Sequence, residues 1–301
     1  MPIGLWTGAD QGKTMVEDVT KFVTNISYES TPFYSAIAES EATNTLHSWL
    51  EDTLATSADN AFAEGADVTH TDITPPSRRS NIVQLFNKEI RVSNTEQRVA
   101  HYGMGDPYTY NLQKKMKELA RDIEKALVVG TRASGDSGVA RRLDGAIALI
   151  TVNKTARASG TSLTEAEFND IMQGIFDAGT DVSVDKVFTG ATLKRAISGY
   201  TAGSTKFTEA DGKRLYNTVG IYESDFGVHM VHLEREVPSG ANAKGILCVD
   251  SSKWRTAYLT NGRPQHSLLA VNGSAKRGMV ETELTLEALA QTSSAYRSGY
   301  V

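Results

Sequence analysis

The chain has few of the features that mark secreted or membrane proteins. Its 301 residues include one cysteine, Cys248, which excludes an internal disulfide framework and fits folding in a reducing cytosol. No apolar run approaches the roughly 20 residues that span a bilayer. The first residues, Met1–Trp6, lack the basic start and apolar stretch of a signal peptide. We therefore expect neither a membrane protein nor an exported one.

Basic side chains are scarce in the first quarter of the chain. Up to Ser77, Lys13 and Lys21 are the only lysine or arginine residues, whereas the formal net charge of the whole chain is only −5. The remainder is therefore net basic. A solvated acidic surface would explain this asymmetry, and so would acidic arms that dock on the basic bodies of neighbouring subunits. The acidic residues before Ser77 are Asp10, Glu17, Asp18, Glu29, Glu39, Glu41, Glu51, Asp52, Asp59, Glu64, Asp67 and Asp72.

One long segment has too few large apolar residues to fold by itself. Two predicted strands, Thr45–Leu50 and Ile82–Val92, are joined by the polar excursion Asp52–Ser80. A loop of that length is uncommon in a compact domain unless it acts outside its own core, and two strands alone are marginally stable. The simplest interpretation is a β-arm that rests on a neighbouring copy of the same protein. The large apolar residues of the excursion are Leu54, Phe62, Val68 and Ile73.

The best-marked element is a long helix after this arm. Asp106 is a favourable N-cap, Pro107 suits the first helical position and Gly130 suits the end. Apolar residues recur between them mostly at steps of three or four, and charged residues occupy mainly the other face. Such a helix would run roughly 35 Å. It is long enough to act as the spine of a domain.

Helices and strands alternate without a βαβ rhythm over the rest of the chain, which favours an α+β fold. An amphipathic helix is predicted near Met15–Ile26. Thr164 and Glu167 have capping-box spacing at the start of another helix. Beyond Asp181 the pattern indicates a second, compact lobe. Further predictions are a turn or short strand in Leu143–Val152, strands at Val184–Thr189, Val219–Tyr222, Val228–Leu233, Ile246–Val249 and Trp254–Leu259, a helix at Ala191–Ser198, a polar loop at Gly203–Lys213 and a closing strand at Met279–Leu289.

Several short motifs approach catalytic or metal-binding sequences, and each fails a requirement. Gly8–Thr14 has three residues instead of four between the glycines of a phosphate loop. Gly135–Gly138 follows a predicted helix, not the double β-barrel of a trypsin-like protease. His229 and His232 lie three apart in a predicted strand, so they should diverge and sit at a surface or interface. Cys248 is expected to be a buried, unreactive residue. We predict no catalytic, cofactor-binding or metal-binding residues and no enzyme activity.

The order of these elements resembles the major capsid protein of tailed double-stranded DNA bacteriophages, which has the Hong Kong-type capsid fold. Local sequence carries the same resemblance along one branch of that family, most specifically between Thr31 and Gly145. The matching segments are Ser30–Phe33, His47–Trp49, Glu64–Asp67, Arg79, Lys88, Val92–Ser93, Lys114–Leu127, Arg142 and Gly145.

The resemblance implies four parts: an N-terminal arm (1–44), an extended β-hairpin loop (45–105), a peripheral domain with the spine helix (106–180 and 263–301) and an axial domain (181–262). It implies a structural protein that self-assembles into capsomers and an icosahedral shell enclosing the genome. An encapsulin-like nanocompartment shell subunit, with the same fold, stays open as the alternative.

The resemblance also implies location and partners. The protein would belong to the virion and assemble in the host bacterial cytoplasm, with no cofactor and no membrane contact. Its partners would be other copies of itself in hexamers and pentamers, a portal protein, scaffolding or decoration proteins, and packaged double-stranded DNA bound non-specifically on the inner surface. The candidate contacts between subunits are Trp49, Phe62, Arg78, Arg79 and Phe86.

Overall fold

The computed structural model describes residues 30–55, 57–65, 67, 70, 72–99, 105–136, 138–178, 184–200, 220–270 and 273–301. The predicted helix near Met15–Ile26 and the predicted loop Gly203–Lys213 lie outside these ranges. The helices are α1 Pro32–Ala36, α2 Pro107–Val129, α3 Ala146–Leu149, α4 Glu165–Asp177 and α5 Ala191–Tyr200. The strands are β1 Ala38–Ala42, β2 Leu46–Glu51, β3 Ser77–Ile82, β4 Gln84–Ser93, β5 Lys154–Thr161, β6 Lys186–Thr189, β7 Ile221–Ser224, β8 Gly227–Leu233, β9 Lys244–Val249, β10 Trp254–Leu259, β11 Gln265–Leu268, β12 Ala275–Ala288 and β13 Ala295–Tyr300. Short 3₁₀ turns occupy Glu96–Arg98, Ser251–Lys253 and Gln291–Ser293.

The first lobe is a five-stranded sheet organised around the long strand β12. Its strand order is β1-β10-β12-β11, and β4 pairs along β12 as well. The β4–β12 ladder is antiparallel and runs from Ser93–Ala275 to Gln84–Leu284. The spine helix α2 packs on this sheet with Leu119, Ile123 and Leu127 buried. The closing strand predicted at Met279–Leu289 is confirmed, since β12 spans Ala275–Ala288. It is a central strand of the first lobe.

The second lobe is a six-stranded mixed sheet with the order β5-β13-β9-β6-β8-β7. Its core is formed by the apolar faces of α4 and α5 together with one face of the sheet. Strand β9 is buried on both faces: Ile246 and Cys248 belong to this core, whereas Leu247 and Val249 belong to the core of the first lobe. Successive side chains of a strand point to opposite faces, so β9 joins the two lobes through a continuous apolar run.

The spine helix has the predicted ends, but its C-terminal glycine has a different role from the expected one. The Asp106 carboxylate accepts hydrogen bonds from the backbone N–H groups of Tyr108 and Thr109, as an N-cap does. Gly130 has φ −53°, which is not the left-handed conformation of a helix-ending glycine. A Cβ there would lie 2.4 Å from the Ala126 oxygen and 2.8 Å from the Leu143 oxygen. Glycine is required because the chain returns so close to the helix end.

Several local expectations change in the structure. The segment Leu143–Val152, predicted as a turn or short strand, contains the helical turn α3 and packs into the first core. The Thr164 cap is confirmed, since its hydroxyl accepts a hydrogen bond from the Glu167 N–H. The return strand of the arm begins earlier than predicted, at Ser77.

The boundaries of the two lobes do not coincide with those of the four segments predicted from the sequence. Strand β4 lies in the segment predicted as the β-loop (45–105) but belongs to the sheet of the first lobe. Helix α4, placed in the peripheral segment, packs in the second core, and the C-terminal strand β13 pairs with β9 and β5. Strand β4 pairs with β12 and β5 pairs with β13, and in each case the two partners lie in different contiguous stretches of the chain. Contiguous segments could therefore not reveal these partners.

Candidate subunit interface

A separate two-stranded hairpin lies against the first lobe. Strands β2 and β3 form their own antiparallel pair, from Leu46–Ile82 at the base to Glu51–Ser77 at the outer end. The chain between Glu51 and Ser77 contains no strand or helix among its described residues. This arrangement confirms the polar excursion, which now spans 52–76.

The base of the hairpin is held to the body by Asn81, which is fully buried. Its Nδ2 donates to the carbonyl oxygens of Asp144 (3.0 Å) and Leu286 (2.9 Å). Its Oδ1 accepts from the backbone N–H groups of Ile82 and Asp144, both at 2.8 Å. One side chain thus ties the hairpin to the α2–α3 connection and to β12. The sequence could not predict this anchor, because a single polar residue within a strand does not indicate its hydrogen-bond partners.

Charged groups also tie the two strands of the hairpin to the body, up to their outer end. Glu51 accepts from Arg79 Nε at 3.1 Å through one oxygen and from the Gln291 N–H at 3.0 Å through the other. Arg132 Nη1 donates to the Ser80 oxygen at 3.1 Å. The hairpin therefore leaves the body at a defined position.

The loop beyond this base presents apolar side chains to solvent. Leu54 is 99% exposed, Ile73 93% and Phe62 63%. No lysine or arginine occurs in 52–76, which contains five acidic residues. The loop thus combines an acidic composition with three large apolar side chains in solvent.

The predicted contact residues separate into two groups. Trp49 and Phe86 are buried in the first core of their own subunit. Arg79 pairs with Glu51, and Arg78 Nη2 donates to Ser48 Oγ at 3.0 Å. The structure brings Trp49 opposite Arg79 in the hairpin and leaves Phe62 apart on the loop. Their role between subunits stays a prediction, with Phe62 and Arg78 the more accessible of the five.

A groove lies between the spine helix and β4, with a volume of about 450 Å³. Leu85, Phe86 and Leu119 contribute its apolar wall, and the exposed side chains of Lys125 and Arg142 stand at its rim. Asp122 also lines the groove, but its carboxylate is 2.5 Å from Lys88 Nζ. The unneutralised charge at the rim is therefore positive.

The residues considered for chemistry have structural roles. His229 is fully buried, which corrects its predicted surface position. Its Nδ1 lies 2.6 Å from the Val184 carbonyl and must donate to it, so Nε2 accepts from the Ser224 hydroxyl. Burial lowers the pKa of His229. His232 stacks on Phe188 and is half-buried.

Cys248 is buried as predicted, and burial raises the pKa of its thiol to about 12. Within the part of the chain that the structure describes, no group of three or more histidine, cysteine or acidic residues could hold a metal ion. None of the described helices is long and apolar enough to cross a membrane.

Solved capsids share this architecture. The chain is similar to the capsid of the native GTA particle, with 12% identity, a TM-score of 0.72 and coverage of 99% of this chain and 100% of that one. The capsid of Myoviridae Phage XM1 matches with 12% identity, a TM-score of 0.65 and coverage of 98% and 99%. The holo-SrpI encapsulin complex from Synechococcus elongatus PCC 7942 matches with 11% identity, a TM-score of 0.63 and coverage of 99% and 96%. The fold of the chain is that of a Hong Kong-type phage capsid protein.

Sequence comparison matches this chain to phage major capsid proteins. The model of the SU10 major capsid protein family matches residues 6–298, and the chain belongs to that family. The major capsid protein of Escherichia phage Phieco32 is 25% identical over 317 residues, covering 88% of each chain. The function is that of a tailed-phage major capsid protein, a structural subunit of the icosahedral shell of the virion.

Proposed function

We propose that the hairpin and its loop are the assembly arm of the subunit, and that each arm docks on a neighbouring copy within hexamers and pentamers. The exposed loop 52–76, with Leu54, Phe62 and Ile73 in solvent, carries this proposal. Half of its 25 residues could reach about 40 Å when extended, which exceeds the roughly 35 Å length of the spine helix. An arm of this reach can cross onto a neighbour.

The groove between α2 and β4 is the docking site that we propose for this loop. Its rim carries Lys125 and Arg142, whereas the loop is acidic throughout. Its apolar wall would cover the exposed apolar side chains of the loop. Charge complementarity of this kind fixes the register of two docking surfaces and raises their association rate. Because a shell repeats each contact many times, small contributions add up.

The remaining assignments belong to the same proposal. Residues 106–180 and 263–301 would form the periphery of a capsomer and 181–262 its axis, with α4 and β13 on the axial side because they pack there. The 1–44 segment would act as the N-terminal arm and 45–105 as the β-loop, apart from β4. The shell would enclose double-stranded DNA through its net-basic surfaces, since binding to DNA depends on cations that neutralise phosphates. The subunit would assemble in the host cytoplasm, with a portal protein and scaffolding or decoration proteins as further partners. It would have no catalytic activity.

Deletion of the loop tests the arm. Glu51 and Ser77 would be joined by a short Gly/Ser bridge that keeps the β2–β3 pair. We expect a soluble subunit with an unchanged cooperative urea transition and no closed shells in electron micrographs. A loop of equal length made of Gly and Ser, with no apolar or acidic residue, is the matched control for length and should fail likewise. Normal shells from either protein would refute the proposal that the loop is the assembly arm. Particles that enclose a cargo enzyme instead of DNA would favour the encapsulin-like alternative.

Charge reversal tests the groove. The double variant Lys125→Glu/Arg142→Glu should slow shell formation in light scattering, with the folded subunit intact. Lys114→Glu makes the matched control, because Lys114 is exposed on the same helix outside the groove. High salt should slow the wild-type reaction, since the screening length falls from about 8 Å at physiological ionic strength to about 3 Å at 1 M. Equal assembly rates for the double variant and the control would show that the groove is not the docking site of the loop.

A further inference from the structure

Two buried carboxyl groups meet where the N-terminal segment, the spine helix and the second lobe come together. Glu124 on α2 is 1% exposed and Glu234, directly after β8, is 2% exposed. After burial, the neighbouring Glu234 carboxyl is the main cause that raises the pKa of Glu124, through a hydrogen bond and like charge. Assembly through the hairpin arm makes no use of either residue.

Glu124 caps a helix that has no cap of its own. Its Oε1 accepts from the Phe33 N–H at 2.7 Å and its Oε2 from the Tyr34 N–H at 2.8 Å. Both donors lie in the first turn of α1, where backbone N–H groups lack helical partners. Thr31, at the N-cap position, makes no side-chain capping bond. This carboxyl group therefore links the spine helix to α1.

Glu234 is fixed in the second lobe. Its backbone N–H donates to the Thr189 carbonyl of β6 at 2.9 Å, and its Oε1 accepts from the Glu236 N–H at 2.9 Å. Its Oε2 is buried, with no N–H donor beside it in the described part of the chain. A hydrogen bond between the Glu124 and Glu234 carboxyl groups requires that one of them hold a proton.

Physical chemistry favours one proton on the pair. Two adjacent carboxylates in a buried site repel each other, and burial disfavours each charge. Burial and the Glu234 carboxyl together outweigh the two N–H donors and raise the pKa of Glu124 to about 9. At neutral pH the pair thus carries one charge and one proton, and its titration belongs to the pair and not to either residue alone.

Other ionisable groups near the junction have partners elsewhere. Tyr34 on α1 hydrogen-bonds through its hydroxyl to Tyr258 on β10. Lys186 on β6 donates to the Ala36 carbonyl at 3.1 Å and lies 3.9 Å from Asp185. His232 on β8 stacks on Phe188, and burial lowers its pKa. Arg121 and Lys125 on α2, and Arg235 and Glu236 beside Glu234, also lie on the adjoining segments.

We propose that Glu124 and Glu234 share one proton, and that the resulting O–H···O bond is a pH-sensitive latch between the spine helix with its bound N-terminal segment and the second lobe. When the pair loses its proton to the solvent, two carboxylates face each other and the latch loosens. The junction is therefore tightest in acid and weakest in alkali.

The direction of the pH dependence of stability follows from the raised pKa of Glu124. An ordinary glutamate in the unfolded chain titrates near 4.5, whereas the pair keeps its proton to about pH 9. The stabilising effect of the proton is complete below the unfolded pKa and is lost as pH rises toward the folded one. Between these limits the folding equilibrium constant falls by up to about tenfold for each pH unit, because one proton is released on unfolding.

Glu234→Gln is the sharpest test on the full-length chain. The glutamine oxygen can still accept from the Glu236 N–H, and its amide can donate to an ionised Glu124, so the latch would form without a proton. The infrared carbonyl band of a protonated carboxyl should be present at pH 7 in the wild type and absent in Glu234→Gln. The fall in melting temperature between pH 6 and pH 9 should be smaller in the variant than in the wild type.

Glu118→Gln provides the matched control. Glu118 lies on the same helix, but the hydrogen bond from Lys115 lowers the pKa of its carboxyl, so this variant should keep both the infrared band and the wild-type pH dependence. Amide exchange of Phe33 and Tyr34 should quicken more between pH 7 and pH 9 in the wild type than in Glu234→Gln, after correction for intrinsic rates. A wild type without the band at pH 7, or a pH slope unchanged in Glu234→Gln, would overturn the shared proton.

Discussion

The spine helix and the hairpin arm are both long, and they are held in opposite ways. The helix is buried along one face by Leu119, Ile123 and Leu127, and its N-terminus is capped by its own neighbour in sequence, Asp106. The strands of the hairpin are fixed to the body through Asn81, Trp49 and Glu51, and the loop beyond them is exposed. Changes in the helix should therefore act on folding, and changes in the loop on assembly.

A charge in the buried face of the spine helix should have the largest effect on folding. Leu119→Asp would place a carboxylate among apolar side chains of the first core. We expect a loss of about 4 kcal/mol or more in the free energy of unfolding, against a typical total of roughly 5–15 kcal/mol. Lys114→Ala, at an exposed position of the same helix, should change it by less than about 0.5 kcal/mol. Urea denaturation measures both, and equal stabilities would mean that the faces of the helix are assigned wrongly.

The base of the hairpin should be the second most sensitive place. Asn81→Ala removes four hydrogen bonds and leaves buried backbone groups of Asp144 and Leu286 without this partner. We expect a loss of about 3 kcal/mol in the free energy of unfolding. Asn60→Ala, on the exposed loop, is the matched substitution and should leave the melting temperature unchanged. If both variants melted like the wild type, the base would not be anchored as described.

Two glycine-to-alanine changes should have opposite signs. Gly130→Ala would force a Cβ to within 2.4 Å of the Ala126 oxygen, whereas Gly174, inside α4, has no atom within 4 Å of such a Cβ. The first change should destabilise by about 2 kcal/mol through overpacking, and the second should stabilise by about 0.5–1 kcal/mol because alanine favours helix. Calorimetry of both proteins would decide whether close approach, and not a left-handed conformation, demands Gly130.

The smallest effect should come from the exposed N-cap. Hydrogen bonds from the Thr109 hydroxyl and N–H lower the pKa of Asp106, so its capping contribution is present above the ordinary aspartate value and is lost as pH falls through the lowered one. Asp106→Asn keeps a capping oxygen but removes this titration. The variant should therefore lose less stability than the wild type between pH 5 and pH 2. Parallel acid denaturation curves would show that the cap carries no pH dependence.

Elements whose signals lie within a few residues could be predicted from the sequence. The N-caps Asp106 and Thr164, and the alternation of β12, needed no knowledge of the rest of the chain. The paucity of large apolar residues in 52–76 likewise predicted an exposed loop. Helix caps act over three residues and strand alternation over two, so such signals survive in a bare sequence.

Only the tertiary structure decided the features that depend on distant partners. Strand β5, Lys154–Thr161, has no clear alternation of its own and becomes a strand because β13 pairs with it. His229 looked like a surface residue until Val184 and Ser224 supplied both of its hydrogen bonds. Glu124 reads as an ordinary charged residue of an amphipathic helix, and its burial depends on α1 and on Glu234, about 90 and 110 residues away along the chain. Burial and pairing are set by residues far apart in sequence, so the hydrogen-bond partners and protonation of these groups follow from packing alone.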